Sequence, residues 1–230
     1  MKNIAVILAG GSGLRMGEEI PKQFIPVQGK PIIQFSMERF QNHPLIDEFV
    51  IVLPAEFVGK LNNFVDLTPF SKLQAQLCGG SERYLSTLAA LQYYTDENDA
   101  NILFHDAARP LISQEIISNV LYALNQFEAV CVAVPSTDTV IETTEHGFIH
   151  HYPKRSLLVN AQTPQAFNIK IIKQAFDYAM QDNGFFTTDD CSIVHKYLPN
   201  IPIKIVPGSP LNLKITNPID LQIIMNQVKQ

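Results

Sequence analysis

Three glycines, Gly10, Gly11 and Gly13, directly follow an apolar run at residues 4–8, and two cations, Arg15 and Lys22, stand within a few residues of them. Without Cβ atoms, successive backbone N–H groups of such a loop can converge on phosphate oxygens. Pro21 stiffens the chain just ahead of Lys22. A lysine is a compact charge able to follow an α-phosphate, whereas an arginine can fork onto two oxygens. Phosphoryl and nucleotidyl transfer ask little covalent work of a protein. They need in-line positioning, and neutralisation of charge on the non-bridging oxygens and the leaving pyrophosphate. A glycine nest flanked by two cations therefore suits a nucleoside triphosphate. The loop is not the dinucleotide fingerprint, because Met16 holds the place of its third glycine, and it does not end in Gly-Lys-Ser/Thr as a phosphate loop does. Taken alone it could be a tight strand-to-helix turn, and either cation a solvated surface charge.

The elements that must position these groups alternate. Residues 4–8 are β-branched, apolar and stopped by glycine, as expected of a strand buried on both faces of a parallel sheet. A helical stretch is expected over 32–40, and strands at 49–54, in "KLQAQLCGG", in "ANILFHDAARP" ending at His105-Asp106, and at 129–135, with a helix over 86–94. Strands alternating with helices predict crossover units and a mostly parallel sheet. Residues 136–160 break the rhythm, with β-branched pieces around a turn at His146-Gly147, and are expected to form an arm outside the main sheet. From "QAFNIKIIKQAFDYAM" the helical pattern returns. A strand in "IPIKIVPG" and a closing helix over 218–228, capped by Asn217, complete the chain. The predicted fold is a three-layer α/β/α, Rossmann-like arrangement in a single domain over residues 1–230 with a protruding β-arm.

Composition narrows the partners. The 230 residues carry 46% hydrophobic and 17% charged side chains and a net charge of −5. That is enough apolar surface for a real core, and it argues against a sequence-independent grip on nucleic acid, which requires clustered Lys and Arg. Cys78, Cys131 and Cys191 show no paired spacing of a zinc site or disulfide framework, so a reduced, cytoplasmic protein is expected. The apolar run near the N-terminus is too short for a membrane helix.

The ordered set "LAGGSGLRMGEEIPKQF", "GGSER", "HDAARP", "TDT", "QTPQAF", "TDD" and "NLKIT", spread over residues 8–216, resembles the 2-C-methyl-D-erythritol 4-phosphate cytidylyltransferase family, with the D-ribitol-5-phosphate cytidylyltransferases as a close relative. The resemblance implies that the backbone from Ala9 through Gly10, Gly11 and Gly13 holds the triphosphate of CTP, with Leu8 and Ala107 beside it. It implies that Arg15 and Lys22 stabilise the pentavalent phosphorus and that Lys214 completes the cation set. Gly80, Ser81 and Ser86 would meet the cytosine and ribose edges. Mispairing a buried polar group there against the wrong base costs ~1–3 kcal/mol. Ser81 stands where many relatives carry Asp, and Leu8 where methylerythritol enzymes often have Pro.

By the same resemblance Asp106 is a substrate-binding residue and a ligand for Mg2+. It ends a strand at the carboxyl edge of the sheet, and magnesium is content with one carboxylate, waters and substrate phosphates. Capping the next helix is the competing reading. Arg109 would reach the phosphorylated alcohol. His105 reads as a strand-end histidine satisfied by hydrogen bonds, since the attacking phosphate oxygen is already ionised and needs no base. Thr139 and Arg155 on the arm would reach across a homodimer, by arm exchange, to the acceptor phosphate in the neighbouring subunit. Asp189 and Asp190 are expected to cap a helix, with subunit contact or site support as the other reading. The implied reaction is CTP plus a polyol phosphate giving a CDP-polyol and pyrophosphate. "KRSLLVNAQTPQAF" favours 2-C-methyl-D-erythritol 4-phosphate as acceptor, in isoprenoid precursor synthesis. "LAGGSGLRMG", with Val159 in place of an aromatic, favours ribitol 5-phosphate instead. A non-catalytic nucleotide-sensing domain is the rival of another class, opposed by the joint presence of Arg15, Lys22, Asp106 and Lys214.

Overall fold

The computed structural model describes residues 1–11 and 20–228, so Gly13 and Arg15 lie outside the described residues. Its elements run β1 (Lys2–Leu8), β2 (Pro26–Val27), β3 (Lys30–Pro31), α1 (Ile32–Gln41), β4 (Glu48–Leu53), β5 (Leu73–Cys78), α2 (Arg83–Tyr93), β6 (Ala100–Asp106), α3 (Gln114–Leu124), β7 (Ala129–Pro135), β8 (Glu142–Thr143), β9 (Ile149–His151), β10 (Val159–Asn168), α4 (Ile169–Ala179), α5 (Asp190–Tyr197), β11 (Ile203–Pro207) and α6 (Pro218–Val228). Seven strands form one sheet in the order β11-β7-β10-β6-β1-β4-β5. All its pairings are parallel except those of β10, which runs antiparallel between β6 and β7.

Alternation along β1 explains the layers. Ala5 and Ile7 face a cluster with Ile33, Met37 and Phe40 of α1 and Ile117, Val120 and Leu121 of α3. Ile4, Val6 and Leu8 face the other side, against Ala90 and Leu91 of α2, Ile172 and Phe176 of α4 and Val194 of α5. A strand clothed by helices on both faces must be apolar at every position, and residues 4–8 are. No described helix is long and apolar enough to cross a membrane.

The chain leaves β1 toward β4 and β5, then returns to β6 on the opposite side of β1. This reversal opens a crevice at the carboxyl ends of β1 and β6, the place where open α/β sheets bind ligands. Leu8 and Asp106 are register partners there.

Three expectations are corrected. Gln165–Asn168, read as the start of a helix, belongs to β10, and the helix begins at Ile169. Val159 and Asn160 pair with Pro135 and Val134 in the main sheet, so the stretch outside it stops at residue 158. A run holding Pro164 and the polar residues Gln162, Thr163 and Gln165 does not look like a central strand, where proline removes a ladder hydrogen bond. The register of β10 against β7 shifts between Ala161 and Gln165, which accommodates the proline. The three polar side chains are buried and hydrogen bonded. The helix α2 also starts one turn earlier than the periodicity suggests, which places Arg83 in its first turn.

Candidate active site

The crevice is lined by Leu8, Ala9, Gly10 and Gly11 from the end of β1, Gly80, Ser81 and Ser86 from the turn into α2, and Ala107 beyond β6, together with Lys22, Asp106 and Lys214, around an open cleft of about 640 Å³. All eight described residues expected at the nucleotide thus fall in one cleft. Glycine is required at two of its edges by close approach: a Cβ on Gly10 or on Gly79 would lie 2.7 Å from Ser86 Oγ. Ser86, buried on α2, is wedged between the two loops. Among the described residues, its chain neighbours aside, nothing lies within 4 Å of where a Cβ on Gly11 would sit.

Lys22 opens a single helical turn after Pro21. Its neighbour Gln23 is buried and donates through Nε2 to the Ala9 carbonyl at 2.7 Å and the Gly11 carbonyl at 3.3 Å. Phe24 stacks on Phe64 with centroids 4.2 Å apart. These contacts clamp the turn to the glycine loop, and Lys22 Nζ donates to the Ile215 carbonyl at 3.0 Å. Glutamine at position 23 is a supporting residue that the sequence reading missed; a polar side chain between Lys22 and an aromatic anchor was its one visible signal.

A second cleft, about 590 Å³, adjoins the first and shares Arg83, Asp106 and Lys214 with it, adding Arg109, Gln162, Thr163, Gln165, Thr188 and Asp189. Asp106 stands on the wall between them. Its carboxylate meets Lys214 Nζ at 2.7 Å and Arg83 Nε at 3.3 Å. Burial opposes its charge, but Arg83 and Lys214 overcome that and hold the carboxyl well below the usual range. Helix capping is therefore not what its side chain does. Arg109 donates through Nη1 to the Asn212 carbonyl at 2.8 Å and lines the second cleft.

Arg83, within "GGSER" but not singled out from the sequence, links Asp106 to Asp190, meeting the latter at 2.8 Å. Burial works against its charge, and Asp190 and Asp106 overcome it, so the guanidinium is held more firmly protonated than usual. Asp190 is fully buried, accepts from Thr87 Oγ1 at 2.8 Å, and has its carboxyl raised by burial, with Arg83 opposing. Asp189 caps α5 by accepting from the Ser192 N–H at 2.8 Å. The "TDD" pair thus divides its work: one caps, the other supports Arg83.

His105 is buried between Thr163 Oγ1, 3.1 Å from Nδ1, and the Arg109 carbonyl, 3.1 Å from Nε2. Burial pushes its pKa down to about 4. The ring is a neutral structural strut, as expected.

Thr139 and Arg155 are exposed on the segment outside the sheet and line neither cleft of their own chain. Among the described residues, no three or more His, Cys, Asp or Glu gather in a group that could cage a metal ion. Asp106 is nevertheless a carboxylate at the cleft wall. Its donor chemistry fits an ion that takes one protein oxygen and fills its shell with water and ligand phosphates.

Comparisons with known proteins decide the family. The model of the family described as IspD, 2-C-methyl-D-erythritol 4-phosphate cytidylyltransferase, matches residues 3–229. The chain belongs to the 2-C-methyl-D-erythritol 4-phosphate cytidylyltransferase family. It is therefore a nucleotidyltransferase enzyme, as its motifs imply. The family member of Thermobifida fusca is 39% identical over 224 residues, covering 95% of this chain and 90% of that protein. The bifunctional ribulose 5-phosphate reductase/CDP-ribitol pyrophosphorylase Bcs1 of Haemophilus influenzae is 42% identical over 96% of this chain, which spans 47% of that protein's length. Among solved structures, the 4-diphosphocytidyl-2C-methyl-D-erythritol synthase of Anaerococcus prevotii superposes with a TM-score of 0.87 at 27% identity, covering 100% of this chain and 96% of that one. The family enzyme of Francisella tularensis gives 0.82 at 28% identity, covering 99% and 100%.

Proposed function

We propose that this enzyme transfers the cytidylyl group of CTP to 2-C-methyl-D-erythritol 4-phosphate, releasing pyrophosphate. The observation that carries the reading is the pair of adjoining clefts with Lys214, Asp106 and Arg83 on their shared wall, in a chain matched by this family from residue 3 to 229.

In the reaction an ionised oxygen of the acceptor phosphate attacks the α-phosphorus in line. The new P–O bond forms as the bond from that phosphorus to the pyrophosphate oxygen breaks, and pyrophosphate leaves with the electron pair. No proton need be removed, which agrees with the buried neutral His105. The backbone of Ala9 to Gly11 cradles the triphosphate, and Gly80, Ser81 and Ser86 close on the nucleoside. Lys22 and Lys214, with Arg15 from outside the described residues, neutralise the charge that grows on the equatorial oxygens. Magnesium, held by Asp106 and the phosphates, would supply further charge neutralisation. Arg109 holds the acceptor. Thr139 and Arg155 belong to the acceptor site of a second copy. The exposed apolar residues beside them, Val140, Ile141, Phe148, Ile149 and Leu157, support an arm that packs on that copy in a homodimer. Three unpaired cysteines support a cytoplasmic setting.

Ribitol 5-phosphate is the second reading, favoured by the 42% identity to the Haemophilus protein whose name includes CDP-ribitol pyrophosphorylase. Purified protein with CTP and Mg2+ is assayed for pyrophosphate release on each acceptor separately. Methylerythritol phosphate should give the higher kcat/KM. A preference for ribitol phosphate would reassign the acceptor, and no release with either would refute polyol-phosphate transfer.

A further inference from the structure

The three cations named from the sequence within the described part of the site converge on one short segment, residues 208–215. Lys214 lies on it, Lys22 donates to its Ile215 carbonyl at 3.0 Å, and Arg109 donates to its Asn212 carbonyl at 2.8 Å. The segment has no helix or strand of its own. What holds this segment therefore bears on how the three cations sit relative to each other.

Asn212 ties the segment to the strand beside it, and its side chain is completely buried. Its Nδ2 donates to the Thr163 carbonyl at 2.9 Å and to Gln162 Oε1 at 3.2 Å. The orientation of the amide is dictated by Thr163: a backbone carbonyl only accepts, so the nitrogen must face it. Gln162 completes the clamp by donating from Nε2 to the Ser209 carbonyl at 2.9 Å. Gly208 fits beside it because a Cβ there would collide with Gln162 Oε1. At the far end the Ile215 N–H donates to the Ala108 carbonyl at 2.8 Å. Thr163 in turn receives the Asp106 N–H on its Oγ1 at 3.1 Å. A chain of contacts thus runs from Asn212 through Thr163 to Asp106, whose carboxylate meets Lys214.

We propose that Asn212, with Gln162, is a positioning residue that sets Lys214 and Arg109 at the junction of the nucleotide and acceptor clefts. The proposal rests on the cytidylyl-transfer reading, and deepens it by adding a residue that touches no substrate. Displacement of a catalytic group by about 1 Å can cost on the order of 10²-fold in rate. Asn212→Asp keeps the shape but turns an oxygen onto the Thr163 carbonyl.

The test compares the full-length wild type, Asn212→Asp, Lys214→Ala and the double variant. Asn212→Asp should lower kcat by about 10- to 10²-fold with the KM for CTP within about threefold. The double variant should lose clearly less than the product of the two single losses, because part of what Asn212 does is done through Lys214. Fully multiplicative losses, or a lowered Tm with wild-type kcat, would overturn the proposal. Gln162→Met opens the other half of the clamp and is held to the same criteria if Asn212→Asp does not fold. A second readout needs no turnover: acylation of the Lys214 amine, measured by mass spectrometry relative to exposed Lys204. It should rise several-fold in the variant, and an unchanged ratio contradicts the clamp even if the acceptor assignment proves wrong.

Discussion

The crevice at the ends of β1 and β6 and the arm formed by residues 136–158 are built on opposite plans. In the crevice every described cation is held by a named acceptor: Lys22 by a carbonyl, Arg109 by a carbonyl, Lys214 and Arg83 by Asp106. On the arm, Thr139 and Arg155 are exposed, and Phe148 and Leu157 show 72% and 77% of their surface to solvent. The difference teaches that the crevice is preorganised within the fold, while Thr139 and Arg155 have no place in either cleft of their own chain, and under the proposed dimer they would complete the site of a second copy. Preorganised charge is what lowers a barrier without reorganisation cost.

The largest effect that would sharpen this contrast belongs to the preorganised half. Lys22→Ala should reduce kcat by on the order of 10²-fold or more with thermal stability retained, because Gln23 and Phe24 anchor the turn without it. A kcat within threefold of wild type would remove Lys22 from the catalytic set. On the arm, Arg155→Ala should instead raise the acceptor KM, by an amount matching a charge-assisted contact of roughly 1.5–3 kcal/mol, and leave the CTP KM nearly unchanged. A matched rise in both would erase the distinction between the halves.

Base choice comes next in size. CTP should be used at least about tenfold better than UTP in kcat/KM, in line with ~1–3 kcal/mol for a mispaired buried group in the Gly80–Ser86 wall. Equal use of ATP would refute the cytidine assignment.

The last effect is absent at neutral pH and concerns the strut behind the crevice. Because burial lowers the His105 pKa to about 4 from an ordinary 6.5, the unfolded chain takes up this proton before the folded one does. The stability that His105 contributes is therefore complete above about pH 6.5 and is lost as pH falls toward 4, by about 2 kcal/mol at pH 5. The raised carboxyl of Asp190 works in the opposite sense, and that of Asp106 is felt only below the ordinary carboxylate range. Imidazole NMR shifts of His105 should accordingly show a neutral ring down to pH 5. A midpoint near 6.5 would mean that the strut is solvated and the wall looser than described.

How much of this was legible beforehand follows the same division. The buried parallel strands announced themselves because burial on both faces leaves no polar position, and the glycine loop, Lys22, Asp106 and Lys214 stood in ordered motifs. β10 stayed hidden because its buried side chains Gln162, Thr163 and Gln165 are polar and satisfied by partners 24 to 58 residues away in sequence. Arg83, Gln23 and Asn212 escaped for a related reason. Their roles depend on which distant carbonyl or carboxylate the fold brings to them, and no local spacing encodes that. The bounds of the arm were misjudged by the two residues that rejoin the sheet, since an extended segment looks alike whether its ladder is paired or open.

Mixing two impaired variants, assayed with the acceptor well below the raised KM of Arg155→Ala, tests the division most directly. Arg155→Ala and Lys22→Ala chains are combined, subunit exchange is verified, and pyrophosphate release is measured. If the arm of one chain completes the crevice of the other, each mixed dimer carries one site with both lesions and one with neither, so activity should recover toward half of wild type per dimer. Verified exchange with no recovery would place Arg155 and Lys22 in the same chain's site and contradict the account.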